Sequence, residues 1–264
     1  MIENIILGIV QGIAEWLPVS SEGLIILIKT NVFNEPPNYD ALIKYALFLH
    51  LGTFLAAFVY FRKDVFVLIK AIFSFKSQTQ ETKKIFSFLF VTTLISGSIG
   101  LCLLKLLSTL VEQFETTGKS VTLVIGCLLL VTAFLELRAR KAGYRNPTEL
   151  KLSDAIITGI AQGMATLPGL SRSGLTMSTL LLLKFDKQHS LRLSFLLSLP
   201  IVLAGNIILN FSALTLSVES LLGLAFSFIF GLLTIHILLK IAEAINFGYF
   251  MLLFGTITIL SYFL

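Results

Sequence analysis

Long apolar runs alternate along this chain with short polar breaks, and the run lengths fall into two classes. Residues 2–16 are apolar, but a bilayer core of ~30 Å takes about 20 helical residues to cross. Pro18 breaks that helix, and Ser20 is a good N-cap for a second short helix to about Lys29. A polar stretch from Asn31 to Asp40 leads to a full span at 41–61. A basic, partly amphipathic connection follows, then spans at about 85–107 and 120–137, separated by a loop holding Glu112 and Glu115. Residues 154–167 are again apolar and short, broken at Pro168-Gly169 and restarting near Ser171. Lys184 to Arg192 reads as a polar turn, and further spans are predicted at about 193–211, 218–240 and 246–263. The pattern predicts an all-α polytopic membrane protein with about six transmembrane helices and two re-entrant helix-loop-helix hairpins. Irregular backbone at membrane depth must be buried in protein or line a cavity.

Composition agrees with the pattern. Of 264 residues 56% are hydrophobic and 13% charged, against roughly 25% charged in soluble domains. No window is left for a soluble domain, so residues 1–264 are read as a single membrane domain. The net charge of +5 comes from basic clusters at 62–84 and 138–151, which suits a cytoplasmic membrane face and does not call for nucleic acid. Loops 31–40 and 108–118 contain no Lys or Arg and are assigned to the outside. The N-terminus lacks a basic n-region and carries Glu3, so it is read as part of the mature protein. Cys102 and Cys127 lie in apolar runs and are read as small buried hydrophobes.

The two broken segments are similar to each other. Gln11 matches Gln162 and Gly23 matches Gly174, both at an offset of 151 residues. One hairpin and three full spans per copy make halves 1–150 and 151–264 an inverted repeat, the first hairpin entering from outside and the second from the cytoplasm. Gln11 and Glu15 share a helix face, and a membrane-embedded Glu is usually paired or faces a cavity. Its natural partner is Arg172. Ser171, Arg172, Ser173 and Gly174 sit where a half-helix begins, a place suited to anions, and Thr176 could add a hydroxyl one turn on. Ser20 reads equally as a cap or a ligand, and Ser21 is the better nucleophile candidate. These features describe a polar midplane site for a phosphorylated ligand without separating hydrolysis from transport.

At these residues the chain resembles the undecaprenyl-diphosphatase family, the BacA-type bacitracin-resistance phosphatases. Gln11, Glu15 and Pro18-Val19-Ser20-Ser21 match its first signature, and Pro168 to Thr176 matches Pro-Gly-x-Ser-Arg-Ser-Gly-x-Thr intact. Ser194 to Pro200, His50 to Thr53 and Tyr60 to Asp64 extend the similarity over nearly the whole chain. The resemblance implies a multi-pass plasma-membrane hydrolase that takes the terminal phosphate from a polyprenyl diphosphate and recycles a lipid carrier for cell-wall synthesis. It implies Mg²⁺ or Ca²⁺, with Glu15 and Gln11 as metal ligands or Glu15 as base. Ser21 would be nucleophile or phosphate ligand, and Arg172, Ser20, Gly169, Ser171, Ser173, Gly174 and Thr176 would hold the diphosphate. The expected partners are the lipid and the bilayer, and a homodimer is compatible with them. The family continues Ser-Ser-x-Gly-His, and here Leu24 stands at the histidine. Glu22, His50 and Gln162 are the further candidates near the site, while His189 and His236 are read as structural. A lipid-phosphate transporter or flippase of the same fold is the competing expectation.

Overall fold

The computed structural model describes residues 1–34, 39–113, 118–138, 143–167, 169–210, 217–241 and 247–261. Its first and seventh helices, α1 (Ile2–Ala14) and α7 (Leu152–Met164), are 13 residues each, or about 20 Å. A proline clashes with the carbonyl four residues before it. The residues four beyond Ala14 and Met164 are Pro18 and Pro168, which accounts for both endpoints. After each break the chain restarts on a serine. Helices α2 (Ser21–Asn31) and α8 (Arg172–Leu182) are 11 residues each. The side chains of Ser20 and Ser171 accept the amides of Gly23 and Gly174, both at 3.1 Å. A serine N-cap of this kind satisfies one otherwise orphaned donor.

The longer elements are α3 (Tyr39–Tyr60), α5 (Gln80–Gln113), α6 (Gly118–Arg138), α9 (Lys187–Leu209), α10 (Val218–Ile241) and α11 (Phe247–Ser261). Between α3 and α5 lies α4 (Arg62–Ser74), closed by a 3₁₀ turn at Phe75–Ser77. Among the described residues, α3, α5, α9 and α10 contain segments long and apolar enough to cross a membrane. The spans expected near 120–137 and 246–263 correspond to α6 and α11, shorter in their described apolar parts. The architecture is that of an all-α polytopic membrane protein.

Two expectations are corrected. The turn at Lys184–Arg192 is shorter than predicted, because Asp186 caps α9 by accepting the His189 amide at 2.9 Å. The polar residues after Asp186 therefore form the first turns of a helix. Cys102 and Cys127 are exposed on the helix surfaces and not buried. In an apolar solvent an apolar run has no obligatory inward face, so hydrophobicity alone did not predict burial.

Helix α1 lies along α10, and α7 lies along α5. Both short helices bear a Gly-x-x-x-Gly pair, Gly8 and Gly12 in α1, Gly159 and Gly163 in α7. A Cβ on Gly12 would come within 2.7 Å of the Gly231 nitrogen, and one on Gly163 within 2.7 Å of Ile99 Cβ. Close backbone approach of this kind drives helix association in lipid, where the hydrophobic effect contributes little. Helix α3 packs between α9 and α10, and α6 pairs with α11 while touching α8. The α3–α9 seam is tied by polar bonds, from Asn206 Nδ2 to the Leu47 carbonyl and from Asn210 Nδ2 to the Lys44 carbonyl, both 2.9 Å. In the largest apolar cluster Trp16 meets Phe195 edge-on at 4.9 Å. Arg145, from the basic connection before α7, donates to the Leu183 carbonyl at 2.9 Å and to Asp154 at 2.6 Å. One charge of that basic loop is thus spent on holding the second hairpin's base.

Candidate active site

The two hairpin tips meet because their turns bond to each other. Ser20 Oγ accepts the Gly169 amide at 3.0 Å in addition to its own cap bond, and Ser173 Oγ donates to the Leu17 carbonyl at 2.7 Å. Gly169 has φ +106°, a left-handed conformation that favours glycine, and a Cβ there would come within 2.8 Å of the Ile125 carbonyl oxygen.

This crossing brings Glu15 to the centre of a cluster. Its Oε2 accepts from Gln11 Nε2 at 2.9 Å and from Ser21 Oγ at 2.9 Å, and lies 3.0 Å from His50 Nε2. Its Oε1 pairs with Arg172 Nη2. The carboxylate is 4% exposed and the guanidinium 14%, so the pair is held largely out of solvent. Arg172 spends a second N–H on the Ser194 carbonyl at 3.0 Å. Both bonds take terminal nitrogens of a five-donor fork, which leaves it capacity for a further anion.

His50 enters from α3. Its Nδ1 is 2.7 Å from the Ala46 carbonyl, which can only accept, so the hydrogen there belongs to the ring. Its Nε2 faces the Glu15 carboxylate from the other side of the ring. Glu22 lies in the first turn of α2, close enough to His50 and Glu15 to interact with both electrostatically. Leu24 is partly buried against the cluster of Ala14, Val19 and Ile26 and carries no polar group.

The remaining candidates divide into supports and outsiders. Ser171 caps α8 and meets Ser173 Oγ at 3.2 Å. Thr176 turns back on its own helix, donating to the Arg172 carbonyl at 2.8 Å, and meets Ser194 Oγ at 2.6 Å. It therefore braces the segment that receives Arg172. Gly174 lets the turns close, since a Cβ would sit 3.1 Å from that of Pro18. Gln162 does not join Glu15; it donates to Ser96 Oγ of α5 at 2.9 Å. His189 sits in the first turn of α9 with its amide and ring both on the capping Asp186 carboxylate, and His236 lies 3.4 Å from the Tyr60 hydroxyl. Sequence reasoning missed Ser194 and Thr132, whose hydroxyl accepts the Ser171 amide at 3.4 Å. Ser194 opens the Ser194-to-Pro200 stretch of the family resemblance, which carried no site role for it, and its other signal is a polar residue inside an apolar span.

Beside the crossing is a cleft lined by Trp16, Pro18, Met177, Leu191, Phe195 and Leu238, with Ser173 as its polar member. Among the described residues no three Asp, Glu, His or Cys side chains form a metal-binding group. A hard cation takes oxygen ligands, however, and Mg²⁺ often uses one or two carboxylates together with substrate phosphates. Gln11 Oε1 is fully buried without a partner among the described residues, adjacent to Glu15. That orphaned oxygen, one helical turn from Glu15, is a donor of the kind such a cation takes.

Comparison with known proteins places these residues in a family. The family described as "Bacitracin resistance protein BacA" matches residues 4–260. A protein named undecaprenyl-diphosphatase from Methanococcoides burtonii is 42% identical, over 99% of this chain and 98% of its own. Proteins of the same name from Methanothrix thermoacetophila and Korarchaeum cryptofilum are 35% and 36% identical, each over 98% of this chain and over 95% and 98% of their own. The chain belongs to the BacA family and is a multi-pass protein of the cell membrane.

Proposed function

From that membership we propose that the protein is a membrane phosphatase that removes the terminal phosphate of a polyprenyl diphosphate. The observation that carries the reading is the 2.9 Å bond from Ser21 Oγ to Glu15 Oε2, with Arg172 on the other carboxylate oxygen. A hydroxyl donating to a buried carboxylate is a nucleophile beside its base. Ser21 Oγ attacks the terminal phosphorus, the bridging P–O bond breaks, Glu15 takes the hydroxyl proton, and the polyprenyl monophosphate leaves. Water then cleaves the phosphoserine, releasing phosphate and returning the proton to Ser21. Arg172, adjacent to this attack, offers its unspent N–H groups to the phosphoryl oxygens. The free amides at the start of α8 add to that grip. The transport expectation gains no support from the site or from the named relatives.

A divalent cation, Mg²⁺ or Ca²⁺, would be held by Gln11 and Glu15, supported by the orphaned Gln11 oxygen. Bound there it supplies charge neutralisation on the phosphate oxygens. Gln11→Leu should raise the Mg²⁺ concentration needed for half-maximal rate. The halves 1–150 and 151–264 are read as an inverted repeat, which is supported by the matched caps and by the paired packing of α1 on α10 and α7 on α5.

The test is phosphate release from a polyprenyl diphosphate by purified protein supplied with Mg²⁺ or Ca²⁺. Steady release that is lost in Ser21→Ala and Glu15→Gln supports the reading. A folded wild-type protein that releases no phosphate sinks it.

A further inference from the structure

Helix α4 leaves its apolar side uncovered. Its buried residues are Val65 and Ala71, while Phe66, Ile69 and Phe73 are 62%, 41% and 86% exposed. Their spacing of three and four residues puts all three on one face. The charges around that face are sorted by sign. Between Arg62 and Lys84 the acidic residues are Asp64 and Glu81, and both pair with Arg192 of α9. The pairing draws both carboxylates of this segment inward. Lys63, Lys70 and Lys76 are exposed, so the segment turns positive charge outward together with its aromatics.

The height of α4 is fixed as well. The span in α3 ends at Tyr60 just before it, and the span in α5 begins at Gln80 shortly after it. A short helix tied between two spans on one side of a bilayer lies at the membrane surface. A second copy of the chain is a poor occupant for this face, because a two-fold contact would set lysines against lysines. A lipid headgroup layer of negative charge is complementary to it.

We propose that α4 is an interfacial helix docked on anionic phospholipid of the leaflet it borders. Phe66, Ile69 and Phe73 enter the acyl boundary, and Lys63, Lys70 and Lys76 reach the headgroup phosphates. The long lysine stems allow the charge to stay at the headgroups while the helix body sinks.

The experiment uses the full chain in nanodiscs of phosphatidylcholine with or without phosphatidylglycerol. Phe73→Trp adds a reporter to a protein whose one native tryptophan, Trp16, is buried at 2% exposure. Lipids brominated near the headgroup end of the chain should quench the new signal, and acrylamide in the water should quench it weakly. Spin-labelled phosphatidylglycerol should be enriched around the wild type over phosphatidylcholine. The triple variant Lys63→Gln, Lys70→Gln, Lys76→Gln should lose that enrichment, by at most about fivefold per lysine. All these positions are exposed, and an unchanged elution volume checks the fold. Strong acrylamide quenching, or equal enrichment of both lipids around the wild type, overturns the proposal.

Discussion

The first hairpin turns at Pro18 and caps α2 with Ser20; the second caps α8 with Ser171 at the same distance to the amide three residues on. Laid over each other at an offset of 151, Glu15 falls on Thr166, Ser21 on Arg172, Glu22 on Ser173 and Pro18 on Gly169. The frame is common and the chemistry has been divided. One hairpin holds the acidic and nucleophilic groups, the other the cation. The caps show the same division on a smaller scale. Gly169 has an amide and bonds Ser20 across the crossing. Pro18, at the matching place, has no N–H to offer Ser171, which meets Ser173 instead.

If the first hairpin runs the reaction, Ser21→Ala should lower kcat by roughly 10⁴-fold or more while leaving KM near its normal value. Residual turnover within tenfold of wild type would move the chemistry elsewhere. If the second hairpin grips the phosphate, Arg172→Lys should fall mainly on KM. A lost charge-assisted bond is worth about 1.5–3 kcal/mol, or about 10- to 100-fold in kcat/KM. An effect confined to kcat would blur the division. His50 belongs to neither hairpin, and His50→Ala should cost up to about 100-fold by releasing one bond on Glu15. Leu24→His should change phosphate release less than threefold (~0.6 kcal/mol), since an imidazole already stands on that carboxylate. A large gain would show that His50 does not fill the role. The smallest contrast is in the caps. Ser171→Ala should cost about 1 kcal/mol of stability and Ser20→Ala about twice that, because of the two caps Ser20 is the one whose hydroxyl also bonds the other hairpin. Denaturation of the two variants side by side would measure the difference.

Much of this was legible from the chain. Pro18, Pro168, Ser20 and Ser171 act within a few residues of themselves, so the breaks and restarts of the hairpins followed from local sterics and capping. The pairing of Glu15 with Arg172 was legible too, since two isolated charges in apolar surroundings have few ways to be satisfied. His50 was less legible, because a histidine in a span has a ready local partner, and it does bond the Ala46 carbonyl one turn back. Its other nitrogen faces Glu15, a residue 35 positions away whose approach depends on how α3 packs. The surroundings of Gln162 were hidden for the same kind of reason. It matches Gln11 in sequence, but α7 lies against α5, and Ser96 receives its amide.

The sequence by itself determined the all-helical membrane class, the two broken segments and the residue types of the site. Those depend on hydropathy, proline and glycine sterics and the cost of unpaired charge, all of which act along the chain. Only the tertiary structure decided which surface each side chain faces. In lipid the outside of a bundle is as apolar as its core, so hydrophobicity gives no inward direction. Small differences in backbone approach do, as at Gly12 on Gly231 and Gly163 on Ile99. Those contacts belong to helix pairs far apart in sequence. They set Ser21, His50 and Arg172 on the Glu15 carboxylate, and they turned Gln162 and both cysteines away from it.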